Sequence, residues 1–91
     1  MTNVINQEVN KEVTINAFYF AGQKGGQGLK TFPREIEFGG HEVTFKSGLR
    51  YLVQQGATAV KLFDMSGADG LTYRLRQQGE QWTLLATKGA F

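Results

Sequence analysis

Hydrophobic and polar residues alternate along much of the chain, and this alternation predicts a β-sheet. The first clear case covers residues 12–20, EVTINAFYF, where every second residue from Val13 to Tyr19 is apolar. A period of two is typical of a strand with one buried face. At the end of this segment Phe18 and Phe20 make the second face apolar as well. We therefore expect that end of the strand to be covered on both faces.

Residues 33–45, PREIEFGGHEVTF, contain the clearest predicted hairpin. Gly39 and Gly40 suit a two-residue turn whose residues take positive φ. The pairs expected outward from this turn are Phe38 with His41 and Ile36 with Val43. The large apolar side chains then share one face of the hairpin. The other face receives three carboxylates, Glu35, Glu37 and Glu42.

The period changes in residues 46–56, KSGLRYLVQQG. Leu49, Leu52 and Val53 fall at positions i, i+3 and i+4, which is the spacing of one helical face. Ser47 suits an N-cap and Gly56 suits a left-handed C-cap. We therefore predict a short helix of about two turns over residues 47–55. The alternative is a strand that carries Leu49, Tyr51 and Val53 on one face.

Residues 57–65, ATAVKLFDM, predict another strand, which the turn SGADG follows. Asp69 and Gly70 are typical turn residues, because an aspartate side chain accepts hydrogen bonds from the backbone that follows it. The calcium-loop pattern of alternating acids followed by a glutamate is absent from this segment. We therefore interpret Asp69 and Gly70 as turn residues and not as a metal site.

Residues 71–87, LTYRLRQQGEQWTLLAT, predict a second hairpin with its turn at Gln78 and Gly79. The pairs expected on its apolar face are Leu75 with Trp82 and Tyr73 with Leu84. The opposite face carries Arg74 and Arg76.

Together these elements predict an α+β fold. We expect a small antiparallel β-sheet of five to six strands, including two hairpins, with one short helix on one face. Residues 1–91 are enough for a single domain, and residues 1–11 are interpreted as a flexible N-terminal arm because they alternate poorly and are rich in Asn and Gln. Without the helix, the same strands suit a small all-β barrel or roll.

Composition narrows the class of protein. The chain has no cysteine, which excludes disulfides and thiolate metal sites, and no apolar run approaches the roughly 20 residues that cross a bilayer. The polar amino end lacks a signal-peptide pattern. We expect a soluble, cytoplasmic protein without membrane contact. The net charge of +2 is too mild to indicate nucleic acid by itself.

The glycine-rich segment GQKGGQG, residues 22–28, invites comparison with phosphate-binding loops. A P-loop needs a lysine followed by Ser or Thr after its last glycine, and here Lys24 precedes the Gly25-Gly26 pair. The dinucleotide-binding spacing of three glycines is absent as well. We interpret the segment as a flexible connection. An alternative is a looser role in which Lys24 and Lys30 contact phosphate.

A basic and aromatic surface is the strongest binding candidate. If Val60 and Leu62 join the core, Lys61 and Phe63 point to the other face, where they can lie beside Arg74, Arg76 and Leu85. Arginine and aromatic residues favour protein interfaces, and the same combination suits single-stranded nucleic acid. The alternative is that the arm or a second layer buries Phe63 and Leu85. Phe18 and Phe20 form a second candidate patch.

Residues for catalysis are sparse. His41 is the only histidine, and no carboxylate stands at a spacing that would orient it. Glu35, Glu37 and Glu42 have no further predicted ligand for a metal ion, so we interpret them as a solvated face. No cofactor motif is present, and carboxylate-pair chemistry stays formally open.

These observations favour a small non-enzymatic interaction or regulatory module. It would bind another protein or a second copy of itself through Lys61, Phe63, Arg74 and Arg76, or through Phe18 and Phe20. A nucleic-acid-binding module that uses the same face with Lys24 and Lys30 is the alternative. An enzyme is the third class.

Overall fold

The structure is a computed structural model that describes residues 4–22 and 29–90. It is all-β, with seven antiparallel strands in one open sheet and no helix in the described residues. The strands are β1 (Val4–Glu12), β2 (Thr14–Gly22), β3 (Leu29–Phe38), β4 (His41–Gln55), β5 (Thr58–Gly67), β6 (Thr72–Gln78) and β7 (Gln81–Ala90). The predicted α+β class is therefore wrong, and the predicted antiparallel pairing is correct.

The order of strands in the sheet is β1-β7-β6-β5-β4-β3-β2. Strands β2 to β6 each pair with the next strand along the chain, whereas β1 pairs with β7. As a result β1 and β2 lie at opposite edges of the sheet although Val13 alone separates them in sequence. The sheet must therefore curl until its edges converge at Val13. The backbone N–H of Val13 donates to the carbonyl of Trp82 at 3.0 Å, which fixes this point.

Strand β4 bends the sheet into two layers. Its first residues, from His41 to Thr44, pair with β3, and the rest of the strand, from Phe45 onward, pairs with β5. The register shifts between Phe45 and Ser47, as expected where a bulge turns a strand from one layer into the next. β2 and β3 thus pack over the larger layer of β1, β7, β6, β5 and the second part of β4.

The core lies between these layers. Its buried residues are Val13, Phe32, Ile36, Val43, Phe45, Phe63, Met65, Tyr73, Leu75, Trp82 and Leu84. Most of them come from alternate positions of the strands, so the period-two pattern of the sequence is what builds this core.

The N–H of Leu71 donates to Asp69 Oδ1 at 3.0 Å and Gly70 has a φ of 89°, which confirms the predicted turn residues between β5 and β6.

The predicted helix at residues 47–55 is wrong. This segment belongs to β4, and Gly56, with a φ of 61°, forms the tight turn to β5 instead of a helix C-cap. Glycine with a positive φ occurs both at helix C-caps and in the tight turns of hairpins, so Gly56 alone does not distinguish a helix from a strand. The helical spacing arises because both faces of β4 carry leucine. The alternative of a strand with Leu49, Tyr51 and Val53 on one face is correct.

The first predicted hairpin is confirmed in its turn and its register. Gly39 and Gly40 have φ values of 56° and 79°. The observed pairs are Phe38 with His41, Glu37 with Glu42 and Ile36 with Val43. Turn chemistry and alternation agree here, and the structure follows both.

The second hairpin turns one position later than expected. Gln78 pairs with Gln81, so Gly79 and Glu80 form the turn. Leu75 therefore lies opposite Leu84 instead of Trp82. Because moving a two-residue turn by one position moves each partner by two, Leu75 and Trp82 keep the face that the sequence predicted. A register shift between Arg74 and Leu75 then sets Tyr73 opposite Thr87, where Leu84 was expected.

The amino end is a paired edge strand from Val4 onward, where a flexible arm over residues 1–11 was expected. A bulge between Glu8 and Lys11 contains Asn10, whose φ of 51° is a conformation that asparagine tolerates.

The barrel or roll alternative is correct in being all-β, but the sheet is open. Among the described residues no helix has the length and hydropathy that crossing a membrane requires.

Candidate functional site: a basic cleft between β3 and β4

A cleft opens where β3 and β4 part. Their pairing ends at Glu35 and Thr44. Within residues 4–22 and 29–90, β3 beyond this point pairs only with β2, and β4 pairs only with β5, so each strand has one edge that no described strand covers. The cleft at this opening has a volume of 510 Å³. Its lining residues are Phe18, Lys30, Thr31, Arg50, Lys61, Phe63, Gln77 and Trp82.

Three aromatic rings form the apolar floor of the cleft. The rings of Phe63 and Trp82 are 5.0 Å apart between centroids, and Phe18 lies 6.0 Å from Trp82. Phe63 and Trp82 are buried, and Phe18 is half-exposed. Phe32 packs edge-on against Phe63 at 6.1 Å and supports the floor from the opposite layer. Tilted and edge-to-face pairs of this kind are favourable and hold the rings in place.

Three cations surround this floor. Lys30 comes from β3, Arg50 from β4 and Lys61 from β5, and each is partly buried. Arg50 pairs in register with Phe63, and opposite residues of antiparallel strands point to the same face, so its side chain lies on the core side of the sheet. No acidic residue of the described segments lines the cleft. The cleft is therefore a concentration of positive charge with an aromatic base.

The guanidinium of Arg50 is incompletely satisfied. Its Nε atom is buried and has no hydrogen-bond partner in the part of the chain that the structure describes. A buried donor without an acceptor is destabilising by about 1–3 kcal/mol. Arg50 thus has hydrogen-bonding capacity that the described residues do not use.

The outer face of the same strands carries an ion pair, in contrast to the cleft. Arg74 on β6 forms an ion pair with Asp64 on β5, and Tyr51 on β4 also donates to Asp64. The hydrogen bond from Arg74 lowers the pKa of Asp64, although burial acts in the opposite direction. Burial and the hydrogen bond to Asp64 raise the pKa of Tyr51. Asp64 and Arg74 are the one ion pair within residues 4–22 and 29–90.

The residues predicted to share a binding face divide between the two faces. Phe63 pairs with Leu75, whereas Arg74 pairs with Asp64. The expectation of one face that combines Phe63 with Arg74 and Arg76 is therefore wrong. Phe63 is 1% exposed, as the alternative of a buried ring predicted. The error came from placing Leu62 in the core, because the core takes Phe63 and Met65 from β5 instead.

The other predicted site residues have mixed placements. Lys61, Lys30 and Phe18 line the cleft. Phe20 is 67% exposed, so the expectation that both faces of this strand end are covered is wrong. Lys24 and the rest of the glycine-rich segment 23–28 lie outside the described residues.

Arg50 and Trp82 were missed as cleft residues. Arg50 stood within the predicted helix, and only the strand alternative would have set it beside Phe63. Trp82 was assigned to the apolar face of a hairpin, which is correct, but its position over the cleft depends on the packing of β2. Neither residue has a local sequence signal for this role.

The acidic candidates take no part in the cleft. Glu35, Glu37 and Glu42 lie on the hairpin of β3 and β4, and His41 is exposed beside Phe38 at 6.3 Å between rings. No group of three or more potential metal ligands occurs in the described segments. A neighbouring groove of 650 Å³ includes Glu12 and Glu80, and it shares Phe18 and Trp82 with the cleft.

Comparison with known proteins gives no relative: the chain matches no protein-family model, no curated protein and no solved structure. The chemistry of the cleft is therefore the guide to its function.

Proposed function

We propose that this protein is a binding module whose cleft takes an anionic ligand that carries an apolar group. The observation that supports this most strongly is the set of three cations, Lys30, Arg50 and Lys61, around an aromatic floor, with no acidic side chain among the described residues that line the cleft. Folding alone gives no reason to gather like charges in one concave site, because they repel one another there. An anion removes this repulsion and supplies the missing acceptor of Arg50.

The size and chemistry of the cleft agree with such a ligand. Its volume of 510 Å³ lies within the range of about 300–1,000 Å³ that is usual for small-ligand sites. Lysine and arginine bind carboxylates and phosphates through charge-assisted hydrogen bonds. Phe18 is half-exposed and offers contact for an apolar or flat group, and it packs against Trp82 in the floor. A binding role needs no catalytic group in addition.

The anion has two chemical sources, an acidic protein segment and a phosphate-bearing molecule. Single-stranded nucleic acid is the second candidate, because Phe20 exposes 67% of its surface and pairs with Thr31 of the cleft wall. Exposed rings near cations suit stacked bases. A cytoplasmic location is part of the proposal, since a chain without cysteine has no disulfide that an oxidising compartment would maintain.

Trp82 gives a direct test, since it is the only tryptophan and it lines the cleft. We would titrate the protein with phenyl phosphate, inorganic phosphate and a short oligothymidylate and record the fluorescence of Trp82. We expect saturable changes for at least the phenyl compound. Arg50→Gln and Lys61→Gln should each weaken binding about tenfold, because each removes a charge-assisted contact.

Lys46→Gln is the matched control. Lys46 is an exposed cation on the same strand as Arg50 and does not line the cleft. Its replacement removes the same charge and should leave affinity within about twofold, since exposed charges are screened by salt. Equal losses for Lys46→Gln and Arg50→Gln would show a diffuse charge effect and contradict the cleft site. Absence of any anion-dependent change in fluorescence would contradict the function itself.

A further inference from the structure

The unpaired edge of β4 is a second binding feature, directly beside the cleft. From Phe45 to Gln55 this strand pairs on one side only, with β5, among the strands that the structure describes. Leu49 is 70% exposed and Leu52 is 63% exposed, and they point to opposite faces because their spacing is odd. A long edge with exposed apolar side chains and no proline is able to accept another strand. Sheet edges of this kind bind extended peptides by strand addition.

The charge of this region restricts which strand can be added. From Val43 to Phe63 the chain has three basic residues, Lys46, Arg50 and Lys61, and no acidic one. A second copy of β4 would bring the same basic residues to the edge. Antiparallel registers centred on Gly48 or Arg50 would set basic residues directly opposite one another, which is destabilising. An acidic strand instead meets opposite charges at Arg50 and Lys61.

We propose that the occupant is an extended acidic segment of a partner protein, which adds to the edge of β4 as a strand. This inference rests on the proposed function, and it names the anion as carboxylate side chains of a peptide. Residues of the added strand that point to the cleft side are acidic and contact Arg50 and Lys61. Those that point to the outer side are apolar and cover Leu49 and Tyr51. The segment thus alternates acidic and apolar residues.

Two observations favour a peptide over a nucleic acid. A strand edge presents alternating N–H and C=O groups, and an extended peptide backbone satisfies both kinds, whereas a phosphodiester backbone has no N–H donor. The exposed Leu49 on the outer face also contributes contact area that a sugar-phosphate chain does not use well. The unpaired edge and the basic cleft therefore both favour an extended acidic peptide as the ligand.

The probe is a seven-residue peptide of alternating valine and glutamate with blocked ends. We expect it to change Trp82 fluorescence, to compete with phenyl phosphate, and to slow amide hydrogen exchange of β4 between Lys46 and Gln54. The same peptide methylated at every backbone nitrogen keeps its charges but loses all backbone donors. It should bind at least tenfold more weakly. Arg50→Gln should weaken the unmodified peptide about tenfold, and Lys46→Gln within about threefold.

The possible outcomes distinguish strand addition by an acidic peptide from the proposed anion-binding function on which it rests. Binding of phenyl phosphate or oligothymidylate without binding of the peptide, or equal affinity of the methylated peptide, overturns the inference and leaves the anion-binding function in place. Loss of every anion response overturns both. An apparent mass that rises with protein concentration, with slow exchange of β4 in the absence of peptide, shows that a second copy occupies the edge and also overturns the inference.

Discussion

Arg74 donates two hydrogen bonds to Asp64 across neighbouring strands, from Nε to Oδ1 at 2.8 Å and from Nη2 to Oδ2 at 3.0 Å. The hydroxyl of Tyr51 donates to Oδ2 of the same carboxylate at 2.9 Å. Asp64 thereby links β4, β5 and β6 on the face opposite the cleft. The charges on the two faces of these strands are thus arranged differently: Arg74 on the outer face has an acidic partner, whereas no acidic side chain is found among the described residues that line the cleft on the inner face.

Asp64→Asn should lower the free energy of unfolding by about 0.5–1 kcal/mol at neutral pH. The bidentate pair is better than a single surface contact, but Arg74 is half-exposed, so solvent screens most of the attraction. Urea unfolding monitored by circular dichroism measures this difference. Glu80→Gln is the control, because Glu80 is an exposed carboxylate in a turn, and its replacement should change stability by less than about 0.5 kcal/mol.

The same pair predicts a pH dependence. The hydrogen bond from Arg74 holds the pKa of Asp64 below its ordinary value of 3.8. A lowered pKa in the folded state means that its contribution is complete above the ordinary value and disappears as the pH falls through the lowered one. The stability gap between the wild type and Asp64→Asn should therefore close in acid. A gap that stays constant down to about pH 2 would contradict this assignment.

Phe63→Ala should be severely destabilising, by about 3–5 kcal/mol, because Phe63 is buried and packs against Trp82 and Phe32. Phe20→Ala provides the comparison, since its exposed ring should change stability by less than about 0.5 kcal/mol. Chemical denaturation of both variants measures the contrast. A mild effect of Phe63→Ala would mean that the ring is not part of the core.

Local pattern predicted most of the strands but not how they assemble. The hairpin around Gly39 and Gly40 was correct in turn and register because the turn residues and the alternation give the same answer. The segment 47–55 failed because apolar residues on both faces of a strand imitate helical spacing, and Gly56 suits either ending. The pairing of β1 with β7 joins residues about 80 positions apart, and no local pattern specifies such a contact.

The candidate site was predicted only in part, for the same reason. Lys61 and Phe63 were correctly placed on one face of a strand, but the identity of the buried face was reversed, and Arg74 and Arg76 were joined to them. Lys30 was proposed as a phosphate contact and lies in the cleft. Placing Arg50 beside Phe63 requires that residues 47–55 form a strand and not the predicted helix. The cleft itself exists because β3 and β4 part after Thr44, which is a property of the whole sheet.

Gly48→Ala should lower the free energy of unfolding by about 1–3 kcal/mol. A Cβ atom at Gly48 would collide with the thioether of Met65, which is fully buried, and would meet the carbonyl oxygen of Asp64 at 2.9 Å. Relief requires either a change of the Met65 rotamer or a shift of the backbone, and both are unfavourable in a packed core. Ser47→Ala, at an exposed neighbour on the same strand, should be nearly neutral. Equal stability of both variants would show that the site relaxes without strain.

Arg50→Met should raise the free energy of unfolding by about 1 kcal/mol and weaken the response to anions. Methionine fills similar space without the unsatisfied Nε donor and without the repulsion from Lys30 and Lys61. Binding sites often keep residues that are unfavourable for folding because the ligand needs them. Urea unfolding with and without phosphate tests both parts. Phosphate should stabilise the wild type more than the variant, since a ligand stabilises only the folded state that binds it. A variant less stable than the wild type, with an unchanged phosphate response, would instead assign Arg50 a structural role.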